Sequence, residues 1–288
     1  MDHPVIGLTA NISKPGSAAL TQQLAALFRA GGARVLLEEA TASHAGEPGG
    51  LPLIAVATEA GIVVILGGDG TILRVVRQLG GMVKPLAALN IGRLGFLTTS
   101  TTEEIDAFAS AILSGAYEIC HRTTVEARFT THDGTRHTLT ALNEAVVCRG
   151  AISRMVKLSV SIDGRFVNTY SGDGLIVSTP TGSTAYNLSA GGPIVTPQAG
   201  VFCITPICPH AIASQGLVVA DSARIELTSA GTADELLLNL DGGSPFPLCR
   251  ETPVILTRAP WTVPLVQLPG TSFYGILRQK LQWSGSSV

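Results

Sequence analysis

A carboxylate set in a glycine-rich loop is the first feature of this sequence that could do chemistry. Gly67-Gly68-Asp69-Gly70-Thr71 follows the continuous apolar run Ile62–Leu66 and precedes the helical pattern Ile72-Leu73-Arg74-Val75-Val76. In a strand, loop, helix unit of this kind glycines let backbone N–H groups approach a phosphate. The helix start adds roughly half a positive charge at the same place. Gly67, Gly68, Gly70 and Thr71 are therefore the candidate phosphate loop. Asp69 would repel a phosphate unless a cation bridges the two or the carboxylate faces a hydroxyl. Either arrangement suits phosphoryl transfer, in which an aspartate orients or deprotonates the attacking hydroxyl. The loop is neither GxxxxGK[ST] nor GxGxxG, so it is not that of a P-loop NTPase or of a Rossmann dinucleotide fingerprint. A plain strand-to-helix turn with Asp69 or Thr71 as N-cap uses the same residue types.

A second constellation runs from Ser171 to Tyr186, SGDGLIVSTPTGSTAY, and continues through Asn187 to Pro193 in mostly small residues. It reads as a strand between two polar, glycine-containing loops. Ser, Thr and Gly in such number offer hydroxyls and exposed backbone, which suits the edges of a ribose and an adenine better than a packed core, and Tyr186 can stack on a ring. Ser, Thr, Gly and Pro also collect in ordinary loops for conformational reasons alone.

The elements that must position these loops change character along the chain. Over the first 100 or so residues β-rich runs (Val5–Thr9, Arg34–Glu38, Ile62–Leu66, Leu86–Asn90) alternate with helical ones (Ala18–Ala30, Ile72–Leu79), which predicts parallel strands with crossover helices. His44 to Gly50 reads as a loop, and Thr101 to Ser114 as a connecting helix ending at Gly115. Beyond it Glu118–Thr130, Thr138–Cys148, Lys157–Ile162, Gly174–Ser178, Gly216–Val219, Arg224–Leu227, Glu235–Leu240 and Pro253–Leu256 read as strands. Asp133-Gly134, Asp163-Gly164 and Asp241-Gly242 are turn pairs. The expected architecture is an N-terminal Rossmann-like α/β domain over 1–100 followed by a C-terminal β-sandwich domain over 101–264. The segment 265–288, with a short helix over Ser272–Leu281, is a candidate return to the first domain, and the catalytic cleft is expected where the two parts meet.

Composition narrows the function classes. The 288 residues are 45% hydrophobic and 14% charged, which excludes a disordered chain. Apolar runs are strand-sized and far short of the roughly 20 residues a membrane helix needs, and the N-terminus has no basic region followed by an apolar one. No membrane partner and a cytoplasmic location are therefore expected. Five cysteines without a CxxC pair indicate neither a disulfide framework nor a zinc site. A net charge of −2, with no adjacent Lys/Arg residues, excludes the broad basic face that nucleic acid needs.

Gly67–Thr71, Asn90-Ile91-Gly92-Arg93-Leu94-Gly95-Phe96-Leu97-Thr98, Leu142-Asn143-Glu144 and Ser178–Tyr186 occur in the order, and at about the spacing, of the NAD kinases, and on these motifs the chain resembles that family over nearly its whole length. The resemblance implies NAD as acceptor at the 2′-hydroxyl of its adenosine ribose, ATP with Mg2+ or another divalent cation as donor, and a homo-dimer or tetramer. It implies that Asp69 is the proton acceptor. It also implies that Gly70, Arg74, Asn143, Glu144, Arg154, Asp173, Thr184, Ala185, Tyr186 and Ser189 bind NAD; metal ligands are not defined by it. Ser171 and Gly243 depart from the family, in which arginine and glutamine are common at these places. The loop at 67–71 taken alone is also similar to lipid kinases and phosphofructokinases. A diacylglycerol-type lipid kinase and a catalytically silent NAD(P)-binding regulator are thus the alternative readings, the first opposed by the 178–186 stretch and the second by an intact Asp69.

Overall fold

The computed structural model describes residues 3–92, 94–150, 155–210, 215–230 and 236–283. The chain divides into two compact units, 1–121 with 263–288, and 122–262. Among the described residues no helix is long and apolar enough to cross a membrane.

The first unit opens with β1 (Val5–Ala10), α1 (Ser17–Ala30), β2 (Arg34–Leu37), α2 (Glu39–Ala45), α3 (Leu53–Glu59), β3 (Ile62–Leu66), α4 (Asp69–Leu79), β4 (Leu86–Asn90), β5 (Ser100–Thr101) and α5 (Ile105–Ser114). Its strands lie parallel in the order β2-β1-β3-β4. Every residue of β3 and β4 is buried, as continuous apolar runs in a parallel sheet covered on both faces should be. Ile6, Leu8, Val64 and Leu66 pack with Leu24 and Phe28 of α1 and Phe108 and Ile112 of α5. On the opposite face β1 comes so close to α3 that a Cβ at Gly7 would lie 2.5 Å from Val56 Cγ1. Because β1 is flanked by β2 on one side and β3 on the other, the chain leaves their carboxyl ends in diverging directions. In open α/β sheets that divergence is where ligands sit. The short helices α2 and α3 flank the stretch from His44 to Gly50 that reads in the sequence as a loop. α2 ends one residue after His44, with left-handed Gly46 as its C-cap.

The chain enters the second unit along β6 (Glu118–Thr130). It continues through β7 (Arg136–Ala141), β8 (Glu144–Arg149), β9 (Val156–Ile162), β10 (Arg165–Gly172), β11 (Gly174–Ser178), α6 (Tyr186–Ser189), β12 (Val201–Ile207), β13 (Leu217–Ala220), β14 (Ile225–Ser229), β15 (Leu236–Leu240), β16 (Phe246–Pro247) and β17 (Val254–Gln267). The end of β17 belongs to the first unit, where Leu265 pairs in parallel with Leu86, and α7 (Phe273–Leu281) follows. Within the second unit β10-β9-β14-β17 with β6 and β7 form one antiparallel layer, and β13-β12-β11-β8-β15-β16 the other. One core joins them as a β-sandwich: Val125, Phe129, Leu158, Val160, Ile225 and Leu256 from the first layer meet Val147, Val177, Phe202, Ile204 and Leu238 from the second. Val146, Ile176 and Ile207 turn the other way and pack with Ala190.

β10 and β12 are strands beyond those the sequence predicts, and two of the predicted strands have other bounds. Thr138–Cys148 is not one strand: β7 ends at Ala141, β8 begins at Glu144, and Leu142-Asn143 leave the ladder because their N–H groups bond to the Asp241 carboxylate instead. Pro253–Leu256 is only the start of β17, which runs to Gln267 through Pro260 and Pro264.

Candidate active site

Asp69 is the first residue of α4, at the carboxyl end of the buried β3. It does not cap its helix: the N-cap is Gly68, with no side-chain bond. The carboxylate instead reaches the loop after β4, where Oδ2 accepts the backbone N–H of Phe96 at 2.9 Å and Oδ1 that of Leu97 at 3.1 Å. Gly95 makes this approach possible, since a Cβ there would stand 2.0 Å from Asp69 Oδ1. The Gly95 N–H is in turn held by Thr98 Oγ1 at 2.7 Å. Gly-Phe-Leu-Thr is thus a backbone cradle for one carboxylate. Each oxygen keeps a lone pair for a further donor.

The rest of the candidate phosphate loop divides by exposure. Gly67 packs under Thr71, whose hydroxyl oxygen would lie 2.3 Å from a Cβ at Gly67, and Thr71 itself is buried. Gly70 is exposed, with nothing within 4 Å of where a Cβ would stand. Arg74, one turn further along α4, is tethered by an ion pair to Glu38 at 3.5 Å. Glu38 is fixed by the hydroxyls of Thr9 and Thr41, the latter at 2.9 Å. Thr9, Glu38, Asp69 and Asn90 stand at or just past the carboxyl ends of β1, β2, β3 and β4, so this one edge of the sheet gathers the polar groups. Glu38 and its hydroxyl partners carry no short-range sequence signal and were not legible as site residues.

The second unit assembles the other candidates. Asn143 and Glu144 lie against the loop after β11: Thr179 N–H donates to the Asn143 carbonyl at 2.9 Å, and Thr179 Oγ1 donates to that of Leu142 at 2.6 Å. Gly182 sits on the Asn143 carbonyl, where a Cβ would be 2.1 Å from the oxygen. The bonds that fix Asn143 run through its backbone. Glu144 Oε2 and Thr181 Oγ1 are both buried without a hydrogen-bond partner. Burial pushes the Glu144 carboxyl up to about 8; the neighbouring Asp241 charge adds to this, and the backbone N–H of Tyr186 opposes it. Buried unpaired polar atoms cost free energy, and a ligand hydroxyl is the kind of group that would satisfy them.

Thr184 and Ala185 lie in and just after the short 3-10 turn, and Tyr186 and Ser189 in α6. Asn187 braces that segment: its Nδ2 donates to the Ser183 and Pro193 carbonyls, and its Oδ1 accepts from Thr205 at 2.6 Å. Tyr186 is 43% exposed. Asp173, between β10 and β11, is ion-paired to Arg149 at 2.8 Å. Ser171 and Gly243 are absorbed locally: the Ser171 carbonyl accepts the His210 N–H, and the Gly243 N–H donates to Leu240. Arg154 lies outside the described residues.

Within each unit, then, the residues singled out in the sequence come together: Gly67 to Arg74 around Asp69 in one, Asn143, Glu144 and 184–189 in the other. The family model described as the ATP-NAD kinase N-terminal domain matches residues 54–117, which contain the first group. The model described as the ATP-NAD kinase C-terminal domain matches 142–268, which contain the second. The NAD kinase of Symbiobacterium thermophilum is 39% identical over 279 residues, covering 96% of this chain and 99% of its own. The chain belongs to the NAD kinase family.

The NAD kinase of Solibacter usitatus is 36% identical over 283 residues, covering 97% of this chain and 99% of its own. Among solved structures, yeast NADH kinase complexed with NADH shares the fold with a TM-score of 0.86 at 24% identity, covering 100% of this chain and 90% of that one. An NAD kinase from Archaeoglobus fulgidus in complex with ATP gives 0.77 at 23%, covering 98% and 100%. Membership in the NAD kinase family brings kinase activity towards NAD, and neither the lipid-kinase nor the silent-regulator reading is favoured.

Proposed function

We propose that this member of the family moves the terminal phosphoryl group of ATP to the 2′-hydroxyl of the adenosine ribose of NAD, giving NADP and ADP. The observation that carries the reading is the cradled carboxylate of Asp69 at the carboxyl end of β3. In the reaction the ribose oxygen forms a bond to the γ-phosphorus, the bond from that phosphorus to the β,γ-bridging oxygen breaks, and ADP leaves with the electron pair. The hydroxyl proton passes to Asp69 and from there to solvent. Two backbone N–H groups hold the carboxylate in one orientation, so the hydroxyl is aimed without a search over rotamers, and positioning is most of what phosphoryl transfer asks of a protein.

In this reading Gly67, Gly68 and Gly70 take the phosphates, and Arg74 supplies positive charge beside them. Asn143 and Glu144 hold the ribose, and Thr184, Ala185, Tyr186 and Ser189 take the adenine side. Asp173 faces the nicotinamide half. The kinases that share the fold were seen with NADH and with ATP, and the proposal gives this chain ligands of both kinds.

No group of three His, Cys, Asp or Glu side chains among the described residues could hold a metal ion. In this reading a magnesium or similar ion arrives on the triphosphate, with phosphate oxygens as its main ligands. Such an ion neutralises charge on the transferring group. We infer a homo-dimer or tetramer working in the cytoplasm; five free cysteines suit a reducing compartment. The test of the activity is NADP formation from NAD, ATP and magnesium by the purified chain. NAD that stabilises the protein without any NADP appearing would favour a binding protein over an enzyme.

A further inference from the structure

Asp241 follows β15 and opens the turn into Gly242, both in the left-handed region at φ 50° and 65°. A pair of left-handed residues suits Asp-Gly for the turn's own sake. The side chain does something more. It is 9% exposed; Oδ2 accepts the Leu142 N–H at 2.7 Å, and Oδ1 accepts those of Asn143 at 2.7 Å and Glu144 at 3.1 Å. The Asp241 N–H returns a bond to the Glu144 carbonyl at 3.1 Å. Three successive backbone N–H groups converging on one anion form a nest, and here the anion belongs to the chain itself. Those bonds stand at the break between β7 and β8, where the sheet ladder would otherwise claim the same N–H groups.

We propose that Asp241 is a positioning residue for nucleotide binding: by clamping the backbone of 142–144 it holds Asn143 and Glu144 where their side chains meet the ribose. The inference rests on the reading that NAD binds through those two residues. Asp241 also places a negative charge beside Glu144. Among the described residues the Tyr186 phenol of α6, itself pushed up by burial, also faces Glu144, with Cys148, Cys208 and the Asp173–Arg149 ion pair beyond it. The Asp241 carboxylate beside it keeps Glu144 protonated further into the alkaline range than burial alone would.

The test is Asp241→Asn in the full chain. The amide keeps the volume but cannot accept three N–H bonds with its single oxygen. The expected result is a KM for NAD raised about tenfold or more with kcat changed less than about threefold, as for lost ground-state binding. The pH at which NAD affinity changes through Glu144 should also move downwards. A substitution that only loosened the fold would shrink the active fraction and lower kcat at unchanged KM. An unchanged KM with an unmoved pH profile would overturn the proposal. If the variant does not fold, amide hydrogen exchange on the wild-type chain decides: Leu142, Asn143 and Glu144 should be protected although they stand at a strand break, and fast exchange at these three would overturn it. Failure of NAD to stabilise the wild-type protein would instead count against the NAD-binding reading and leave the clamp to the exchange experiment.

Discussion

Phe96 donates its backbone N–H to Asp69 across 27 positions of sequence, at 2.9 Å. Leu97 does the same for the other oxygen at 3.1 Å, so the proposed proton acceptor is oriented by backbone N–H groups. Point substitutions at 96 or 97 that preserve the backbone should leave it in place. Substitutions that displace the loop should not.

Gly95→Ala tests that distinction. Its Cβ would lie 2.0 Å from Asp69 Oδ1, so the loop or the carboxylate must shift. We expect a stability cost of about 1–3 kcal/mol, as for other overpacked sites. A displacement near 1 Å at a reacting group can lower turnover about 100-fold. Melting temperature and kcat should both fall; wild-type kcat would show that the cradle does not matter.

Glu144 should make stability depend on pH with a defined sign. Its folded-state value is raised from 4.5 to about 8, so the folded chain binds a proton that the unfolded chain has released in that range. Its contribution is fully present below about pH 4.5 and is lost as pH rises towards 8. Glu144→Gln removes the titration, so its melting temperature should gain on wild type as pH increases over that window. Parallel melting curves for the two proteins from pH 5 to 9 would contradict the assignment.

Arg74 is held by Glu38, whose side chain is only 12% exposed. If the guanidinium serves substrate phosphates, Arg74→Ala should raise a substrate KM by about tenfold with a smaller change in kcat. Glu38→Gln, which removes the ion pair but keeps the arginine, should give a weaker effect in the same direction. Steady-state kinetics against ATP and NAD in turn would show which substrate is touched. No change for either would assign Arg74 to the surface of α4.

Gly182→Ala would push a methyl group to 2.1 Å from the Asn143 carbonyl oxygen, which is backbone and cannot rotate away. Thermal stabilisation by NAD should shrink in this variant, since it measures binding to the folded state alone. An undiminished shift would place the ribose elsewhere.

What the sequence made legible was whatever depends on near neighbours. Ile62–Leu66 is a buried strand, the glycines after it are a loop, and Asp69 stands out because a carboxylate in such a loop must face something other than bare phosphate. The Asp-Gly turns were equally readable from residue type. What it did not reveal depends on distant partners. The Asp241-Gly242 pair reads as a turn, while its carboxylate bonds backbone about 97 to 99 positions earlier, and that contact divides a run that local propensity reads as one strand. Glu38 escapes for the same reason, since its network joins residues 9, 38, 41 and 74. β17 passes unrecognised after Leu256 because Pro260 and Pro264 argue against a strand locally, and its length is set by the partners along both edges.

The most direct test of the central claim is NADP formation from NAD, ATP and magnesium, measured for the wild-type chain and for Asp69→Asn under saturating substrates. The amide preserves shape and removes the proton acceptor, so kcat should fall by about 10²–10⁴-fold while NAD still stabilises the fold. A variant that makes NADP at the wild-type rate would contradict the role given to Asp69.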